Sequence, residues 1–534
     1  MSRITSLSEG RLDAIFETLQ GELESFPSRS LSQVFARDRL VQRMRKRAVY
    51  VDPELSSKAI ETFLNNNRSV RSPMIEPKVL ANARYYITVM LERYTSTFDE
   101  EAIQTPLNPA YLFDHWRFGP GSSNGVTGTH TAEKIIQSMT CTLCCVPYVR
   151  SLRFCNPYFR LFDESNENCG YTVVEGSRLA TVPKNQDTER TIAVEPSGNM
   201  AMQLAAGSYL EGVLRYIGLD ISEQQPKNKA AAKRGSEEDS LATIDLSSAS
   251  DMISIDLVRQ LFPRDWFRLL MAIRSPRMKL PNGESISLNM ISTMGNGFTF
   301  PLMTLIIAAL IYAYRACHGG PNLFIDWKDT CVFGDDIIIP KHEFQGICEL
   351  LTQAGLNVNY DKSFCSGPFR ESCGGDYYEG VDVTPFYIKS LADDPSVYVV
   401  INQVLEWGAR CNMHLYRTLK QLVDLIDGKV HLVPEWLNPN QGILTSLVST
   451  RYKYLSLVPY RRRLRSSVFD MSLAVGGYVE QLGPNLFFLP RSERIKVVVR
   501  RARLPHGFLD GRDVRKRTTT LSLSISLVVE MVMA

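Results

Sequence analysis

Cys331-Val332-Phe333-Gly334-Asp335-Asp336-Ile337-Ile338-Ile339-Pro340 is the stretch on which the fold turns. Two apolar runs flank a Gly334-Asp335 turn, the pattern of a β-hairpin whose first central residue needs the positive φ that glycine tolerates. Two carboxylates then sit at the tip. Adjacent aspartates repel, and both stay ionised beside apolar strands when a positive group faces them, most simply a divalent cation. The other reading of these ten residues alone is a solvent-exposed Asp-Asp turn, since Gly-Asp turns are frequent in hairpins. The neighbouring stretches favour the metal.

Upstream, Ala242-Thr243-Ile244-Asp245-Leu246-Ser247-Ser248-Ala249-Ser250-Asp251 predicts an apolar strand that ends on Asp245, followed by a helix from about Met252. An EF-hand loop from Asp245 to Asp256 is excluded, because its sixth and twelfth places hold Ser250 and Asp256 instead of Gly and Glu. Asp251 is either a helix cap or a functional group. Ser292-Thr293-Met294-Gly295-Asn296-Gly297-Phe298-Thr299-Phe300 is a small-residue loop whose glycines let backbone approach a ligand, and it feeds an apolar helix. Further back, Val182-Pro183-Lys184-Asn185 through Arg190 to Pro196 reads as an extended, proline-bounded segment. There Lys184 and Arg190 can converge on a triphosphate. No Gly-Lys-Ser/Thr follows the glycines, so a P-loop is absent from the sequence. After the hairpin, residues 343 to 356 read as an amphipathic helix, then come Val358-Asn359-Tyr360-Asp361-Lys362-Ser363 and a second hairpin from Tyr377 to Ile388.

The 534 residues, 44% hydrophobic, suffice for a large core and roughly three or four domain-sized units. The net charge of +3 hides a segregation: residues 451 to 517 carry 16 Lys and Arg against 5 Asp and Glu, which leaves the remainder at −8. Such a basic quarter suits phosphate backbones. Eleven cysteines without a repeating framework predict reduced thiols in a cytosolic protein, and Cys141, Cys144, Cys155 and Cys169 match no common zinc module. The first ten residues lack the apolar core of a signal peptide. The longest apolar run, Phe300 to Tyr314, is about five residues short of a bilayer span and predicts a buried helix. Residues 8 to 26 show helical spacing with Leu12, Ile15, Phe16, Leu19 and Leu23 on one face. Arg37, Arg39, Arg43, Arg45, Lys46 and Arg47 then predict a solvated basic helix face. Residues 60 to 100 read as helical, Phe118 to Gly125 as a loop, and residues 222 to 240 as a polar, Lys/Glu-rich connection.

Taken in order, the strand with Asp245 and Asp251, the glycine loop with Thr299, Phe333-Gly334-Asp335-Asp336 and the downstream lysine resemble the palm motifs A to D of RNA-dependent RNA polymerases. More narrowly, the stretches 243–251, 292–300, Phe369-Arg370-Glu371-Ser372-Cys373-Gly374 and 380–389 resemble the replicase β subunit of the single-stranded RNA bacteriophages, the leviviruses. The resemblance runs from about residue 116 to 390. It implies that Asp245 and Asp335 bridge two Mg2+ ions, with Mn2+ also suited, and that Asp336 stands beside them as an outer or third ligand. It also implies that Lys184 and Arg190 meet the incoming ribonucleoside triphosphate and that Lys362 is the general acid toward pyrophosphate. Asp251 then helps to read the ribose 2′-hydroxyl. The place of the family's sugar-reading asparagine falls on Met303, which cannot accept that hydrogen bond, so Gly295 and Asn296 are the candidates near the sugar.

The implied architecture is α+β, a right-hand polymerase fold with an antiparallel palm sheet, fingers and thumb. Its expected divisions are an N-terminal helical region over 1–90 that forms part of the fingers, fingers with the basic nucleotide-contacting segment over 91–240, palm with the metal-binding aspartates over 241–390, and thumb with the basic C-terminal region over 391–534. Arg461, Arg462, Arg463, Arg500 and Arg501 are then expected along the single-stranded RNA, with Tyr452, Tyr454 and Tyr460 as base platforms. The apolar, alternating stretch from Thr518 to Ala534 reads as a late strand or a docking segment. By the same resemblance the partners are host elongation factors Tu and Ts and a host RNA-binding ribosomal protein, in the cytoplasm of an infected bacterium, with no membrane. Two other classes fit less of the pattern. A reverse transcriptase usually has an aromatic-x-Asp-Asp turn, and a non-catalytic RNA-binding protein with a decayed palm would lack one of the three aspartates.

Overall fold

Residues 2–45, 53–97, 106–119, 121–129, 134, 137–156, 159, 170–185, 187–319, 325, 327–434 and 438–445 are described by a computed structural model. Four helices lead the chain: α1 Ser2–Glu24, α2 Leu31–Arg43, α3 Pro53–Ser69 and α4 Pro77–Thr95. After short helices and strands between residues 109 and 173 come the hairpin of β1 Gly176–Asn185 and β2 Thr188–Val194, then α5 Ser197–Tyr216 and α6 Ile221–Glu238. The centre of the chain holds β3 Leu241–Ile244, α7 Thr299–Cys317, β4 Cys331–Phe333, β5 Asp336–Pro340 and α8 Phe344–Gln353. A second hairpin, β6 Phe369–Ser372 and β7 Gly375–Tyr378, precedes α9 Asp394–Cys411 and α10 Tyr416–Asp424. This is the α+β class, with mostly antiparallel strand pairs and a few parallel ones.

The central sheet is antiparallel, in the order β3–β5–β4, with Ile244 opposite Ile337 and Phe333 opposite Asp336. Ile337, Ile338 and Ile339 are all fully buried, so β5 is covered on both faces. On one side lies α7, whose Leu302, Leu305, Ile307 and Ile311 expose nothing to solvent. Burying each such side chain stabilises the fold by about 1.5–3 kcal/mol. Among the described residues α7 is the one helix long and apolar enough to cross a membrane, and most of it is buried in this core, as its sequence predicts. Tyr312 of α7 stacks on Tyr86 of α4 with ring centroids 4.5 Å apart.

The other side of the sheet meets α6, which corrects the expectation of a polar connection over 222 to 240. Asp220 caps this helix by accepting from the Ser222 N–H, and its inward face is Gln224, Asn228, Ala231, Ala232 and Gly235. Helical spacing is present there, but in small and amide residues, so hydrophobicity does not reveal it. Two further expectations shift. The helix after Asp245 divides into Ala249–Met252 and Ile255–Leu261, and the second hairpin spans residues 369 to 382 instead of starting at Tyr377.

A separate core joins the two ends of the described chain. Leu12, Ile15, Phe16, Leu19 and Leu23 of α1 pack with Leu40 of α2, Val397, Ile401 and Trp407 of α9 and Leu422 of α10. The basic face expected on α2 is partly buried. Arg39 donates from Nε to Asp376 and from Nη2 to Glu371, each at 2.6 Å, and Arg43 reaches Glu371 at 3.4 Å. Arg37 pairs with Asp38, and Arg45 pairs with Asp13 and lies over the Phe16 ring. Lys46 and Arg47 lie outside the described residues.

Candidate active site

Gly334 holds φ +61°, and a Cβ there would come within 2.4 Å of the Phe300 ring, so the turn takes glycine for conformation and for space. The Gly334 N–H donates to Thr304 Oγ1 at 3.1 Å, and Phe333 packs edge-on against Phe300 at 4.7 Å. The turn that carries Asp335 is therefore pinned to the first turns of α7. Met303 is buried in the same place, its Cε 3.1 Å from where a Gly334 Cβ would sit, and it supports the turn from below.

Asp245 follows the last paired residue of β3, on the strand next to β5. Its carboxylate accepts from Asn359 Nδ2 at 2.8 Å and has Lys362 Nζ at 3.8 Å, while its backbone bonds to Ser363 Oγ and to the Asn359 N–H. Burial pushes its pKa up, Lys362 and Asn359 pull it down, and the charge of Asp335 pushes it up again. Asp336 faces another way. Its Oδ1 accepts from the Cys373 N–H at 2.9 Å and from Ser372 Oγ at 3.3 Å, both in the β6–β7 turn. Burial first, and then the charges of Asp335 and Asp245, push Asp336 up to about 6.

A register shift between Pro183 and Asn185 puts an irregularity at Lys184, the device by which a bulged strand re-aims one side chain. Burial lowers the Lys184 pKa, Arg190 and Lys362 lower it further, and Asp245 and Asp335 pull it back. Two cations from one hairpin and a third from residue 362 thus share one field with two aspartates. Arg190 lies opposite Val182 on β2.

Asp251 is buried in the short helix 249–252 and does not cap it. It accepts from Ser250 Oγ at 3.4 Å and from the Met294 backbone, and burial pushes it up to about 6. Gly295 has φ +108°, and a Cβ there would meet the Ala193 carbonyl at 2.2 Å. Asn296 Oδ1 accepts from the Phe298 N–H at 3.0 Å ahead of α7, and among the described residues its buried Nδ2 has no hydrogen-bond partner.

Among the described residues no group of three or more His, Cys, Asp or Glu gathers closely enough to hold an ion. The arrangement is a pair, Asp245 and Asp335, with Asp336 engaged by protein donors. Cys141 and Cys145 are buried and Cys144 and Cys155 exposed, all as free thiols; Cys169 lies outside the described residues. So do Arg461, Arg462, Arg463, Arg500, Arg501, Tyr452, Tyr454, Tyr460 and the stretch from Thr518 to Ala534.

The sequence reading assigned no role to Asn359, which orients the Asp245 carboxylate, nor to Ser372 and Cys373, which hold Asp336. It also missed Asn228, which donates to the Asp336 carbonyl at 3.3 Å and to Ser372 Oγ at 3.2 Å. Asn359 stands three residues before Lys362 in a stretch already singled out, the one local signal that would have found it.

Comparison with known proteins bears on the whole arrangement. A family model described as "RNA replicase, beta-chain" matches residues 89–450. The RNA-directed RNA polymerase subunit beta of Qbeta virus (strain MX1) is 41% identical over 298 residues, covering 55% of this chain and 48% of that protein. The corresponding subunit of Enterobacteria phage SP is 44% identical over 236 residues, 43% of this chain and 39% of that one. The RNA-directed RNA polymerase beta chain of Escherichia phage MS2 is 38% identical over 272 residues, 51% and 48%. The chain spans about half the length of these relatives or less. Among solved structures, the RNA-dependent RNA polymerase of a human picobirnavirus aligns with a TM-score of 0.45 at 12% identity, over 78% of this chain and 82% of that one. Since the family model takes in well over half of the residues, including Asp245, Asp335 and all three cations around them, the chain belongs to the RNA replicase beta-chain family.

Proposed function

We propose that the chain is the catalytic subunit of a phage replicase, an RNA-directed RNA polymerase that copies single-stranded RNA from ribonucleoside triphosphates. The observation that carries this reading is the convergence on Lys184 of the charges of Arg190, Lys362, Asp245 and Asp335, brought together from the β1–β2 hairpin, the end of β3, the β4–β5 turn and residue 362, with Lys362 Nζ 3.8 Å from Asp245. Two carboxylates from neighbouring strands form an all-oxygen donor set that suits Mg2+, with Mn2+ also accommodated. Asp245 and Asp335 would hold the ions, and Asp336 would act from behind them. When bound, two such ions supply activation of the attacking 3′-hydroxyl and stabilisation of the leaving oxygen.

The chain's own residues do the rest. Lys184 and Arg190 neutralise the triphosphate and orient its α-phosphate toward the attacking oxygen. Lys362, 3.8 Å from Asp245, delivers a proton to the pyrophosphate oxygen as charge develops there. Asp251 and the Gly295-Asn296 backbone border the sugar. In this reading the fingers comprise the β1–β2 hairpin and α5, the palm the β3–β5–β4 sheet, and the thumb the region after residue 390. Host elongation factors Tu and Ts and a host RNA-binding ribosomal protein complete the enzyme in the bacterial cytoplasm.

The test is labelled ribonucleotide incorporation on an unprimed RNA template with Mg2+, for wild type and Asp335→Asn, with and without host extract. Synthesis by wild type that is lost in Asp335→Asn and on chelation supports the proposal, and dependence on extract supports the host partners. Equal activity of the two proteins overturns the assignment of Asp335. Absence of synthesis from folded, RNA-bound wild type favours the non-catalytic RNA-binding reading.

A further inference from the structure

The mechanism above makes no use of Glu195, a fully buried carboxyl just past the end of β2. Burial pushes its pKa up, and it is held by neutral donors: Ser275 Oγ at 2.5 Å and Gln203 Nε2 at 3.2 Å, both on the same oxygen. Gln203, on α5, exposes no surface. Its Nε2 also donates to the Ile273 carbonyl at 3.0 Å, and its Oε1 accepts from the Gly297 N–H at 3.2 Å. Both ends of the side chain are therefore committed, and the end facing the glycine loop is fixed by what the other end holds.

The loop itself is fastened by backbone. A Cβ on Gly207 of α5 would meet the Gly297 carbonyl at 2.6 Å, and one on Gly297 would meet the Leu204 nitrogen at 2.9 Å. On its other side, Met294 accepts from the Ala193 N–H at 2.8 Å and donates to Asp251. One loop thus connects the strand that bears Arg190, the helix that bears Asp251, and α5. Of these connections, the bond from Gly297 to Gln203 is the one made by a side chain from outside the loop and the candidate site.

We propose that Gln203, oriented by Glu195, is a positioning residue for the incoming nucleotide: it fixes Gly297 so that the loop 294–297 meets the sugar in a single place. The proposal rests on the polymerase reading. Gln203 touches no reacting atom, so its loss acts on nucleotide binding and sugar discrimination ahead of the chemical step. A Gln203 that merely fills the core would, when replaced, lower the amount of folded enzyme and leave the kinetics of the remainder alone.

The experiment measures KM and kcat per folded enzyme for ribonucleotides, and the ribo-to-deoxyribonucleotide ratio, in wild type, Gln203→Met, Glu195→Gln and Asp335→Asn. Methionine keeps the length of the side chain and removes its three hydrogen bonds. Gln203→Met is expected to raise KM about tenfold, the equivalent of one lost hydrogen bond, with kcat within about twofold and a smaller sugar ratio. Glu195→Gln keeps an acceptor for Ser275 and Gln203 and is expected to stay within about threefold of wild type. Should Gln203→Met not fold, Gln203→Asn, which withdraws the carbonyl by one methylene, is read in the same way. An unchanged KM and sugar ratio in folded Gln203→Met or Gln203→Asn, with Asp335→Asn inactive, overturns this inference alone. Activity in Asp335→Asn, or none in wild type, overturns the polymerase reading beneath it.

Discussion

Replacing Arg39 by methionine tests the least expected connection in the fold, the tie between an N-terminal helix and the hairpin that holds Asp336. The Arg39 side chain is 13% exposed, and its carboxylate partners Glu371 and Asp376 are 18% and 3% exposed. Its guanidinium makes a separate 2.6 Å contact to each and also lies 5.0 Å from the Phe369 ring centroid. Surface pairs contribute about 0–1 kcal/mol, whereas removing one partner of a buried pair costs about 3–5 kcal/mol because a charge is left uncompensated. Arg39→Met is therefore expected to lose about 3–5 kcal/mol. Urea unfolding followed by tryptophan fluorescence reads this, since Trp407 is fully buried in the core shared by α1, α2 and α9.

The pH dependence has a definite sign. Burial pushes the Glu371 carboxyl up, but Arg43 and Arg39 hold it below the usual carboxylate value on balance, whereas burial and the charge of Glu371 keep Asp376 above it although Arg39 pulls it down. A depressed carboxylate contributes stability above its unfolded pKa of about 4.3, and that contribution disappears as pH falls through the folded value. Arg39 lowers both carboxylates, so the deficit of Arg39→Met is largest at neutral pH and narrows as pH falls through the acid range, first as Asp376 takes up its proton and then as Glu371 does. A loss under about 1 kcal/mol at pH 7, or a deficit that does not vary with pH, would refute the reasoning.

Two further outcomes follow from the candidate site. Gly334→Ala imposes about 1–2 kcal/mol for a left-handed non-glycine residue and drives a methyl group into Phe300. Incorporation should fall steeply, while Gly367→Ala, also at positive φ but with open space around it, keeps its activity. Asn359→Ala removes the hydrogen bond to the Asp245 carboxylate, about 1.5–3 kcal/mol for a charged acceptor, and should lower kcat/KM about 10- to 100-fold. Without that donor the Asp245 pKa rises, so the acid limb of the pH–rate profile should move to higher pH in this variant.

What was legible in the sequence had strong local causes. The Gly334-Asp335 turn, the strand ending at Asp245 and the buried helix from Thr299 each carry their signal within ten to twenty residues, as a glycine at a required φ or an unbroken apolar run. The elements behind the site were not legible, because their inward faces are polar. α6 presents Gln224 and Asn228 to the core, and α2 presents Arg39 and Arg43, residues that in a sequence read as solvent-facing. Their burial depends on partners between 100 and 340 positions away, such as Asp336 for Asn228 and Asp376 for Arg39. No local pattern announces such a partner, and an unpaired reading of either helix assigns it to the surface.

The same partners explain why three aspartates so close in space do different work. Asp336 has its charge spread onto the Cys373 N–H and the Ser372 hydroxyl, and Ser372 is held in turn by Asn228. Asp245 has one amide donor and a lysine 3.8 Å away, and Asp335 stands at the tip of the turn. Around these two stand Lys184, Arg190 and Lys362, and Lys184 is destabilised as a cation by its burial and by the other two, which Asp245 and Asp335 offset only in part. Cations that repel one another in this way are relieved by an anion that carries several charges. A triphosphate has that property, and on the polymerase reading it would relieve the repulsion where its phosphates must be aligned. On the proposed polymerase reading, the repulsion that disfavours these cations in isolation becomes binding energy for the triphosphate, directed at the groups on which the reaction takes place.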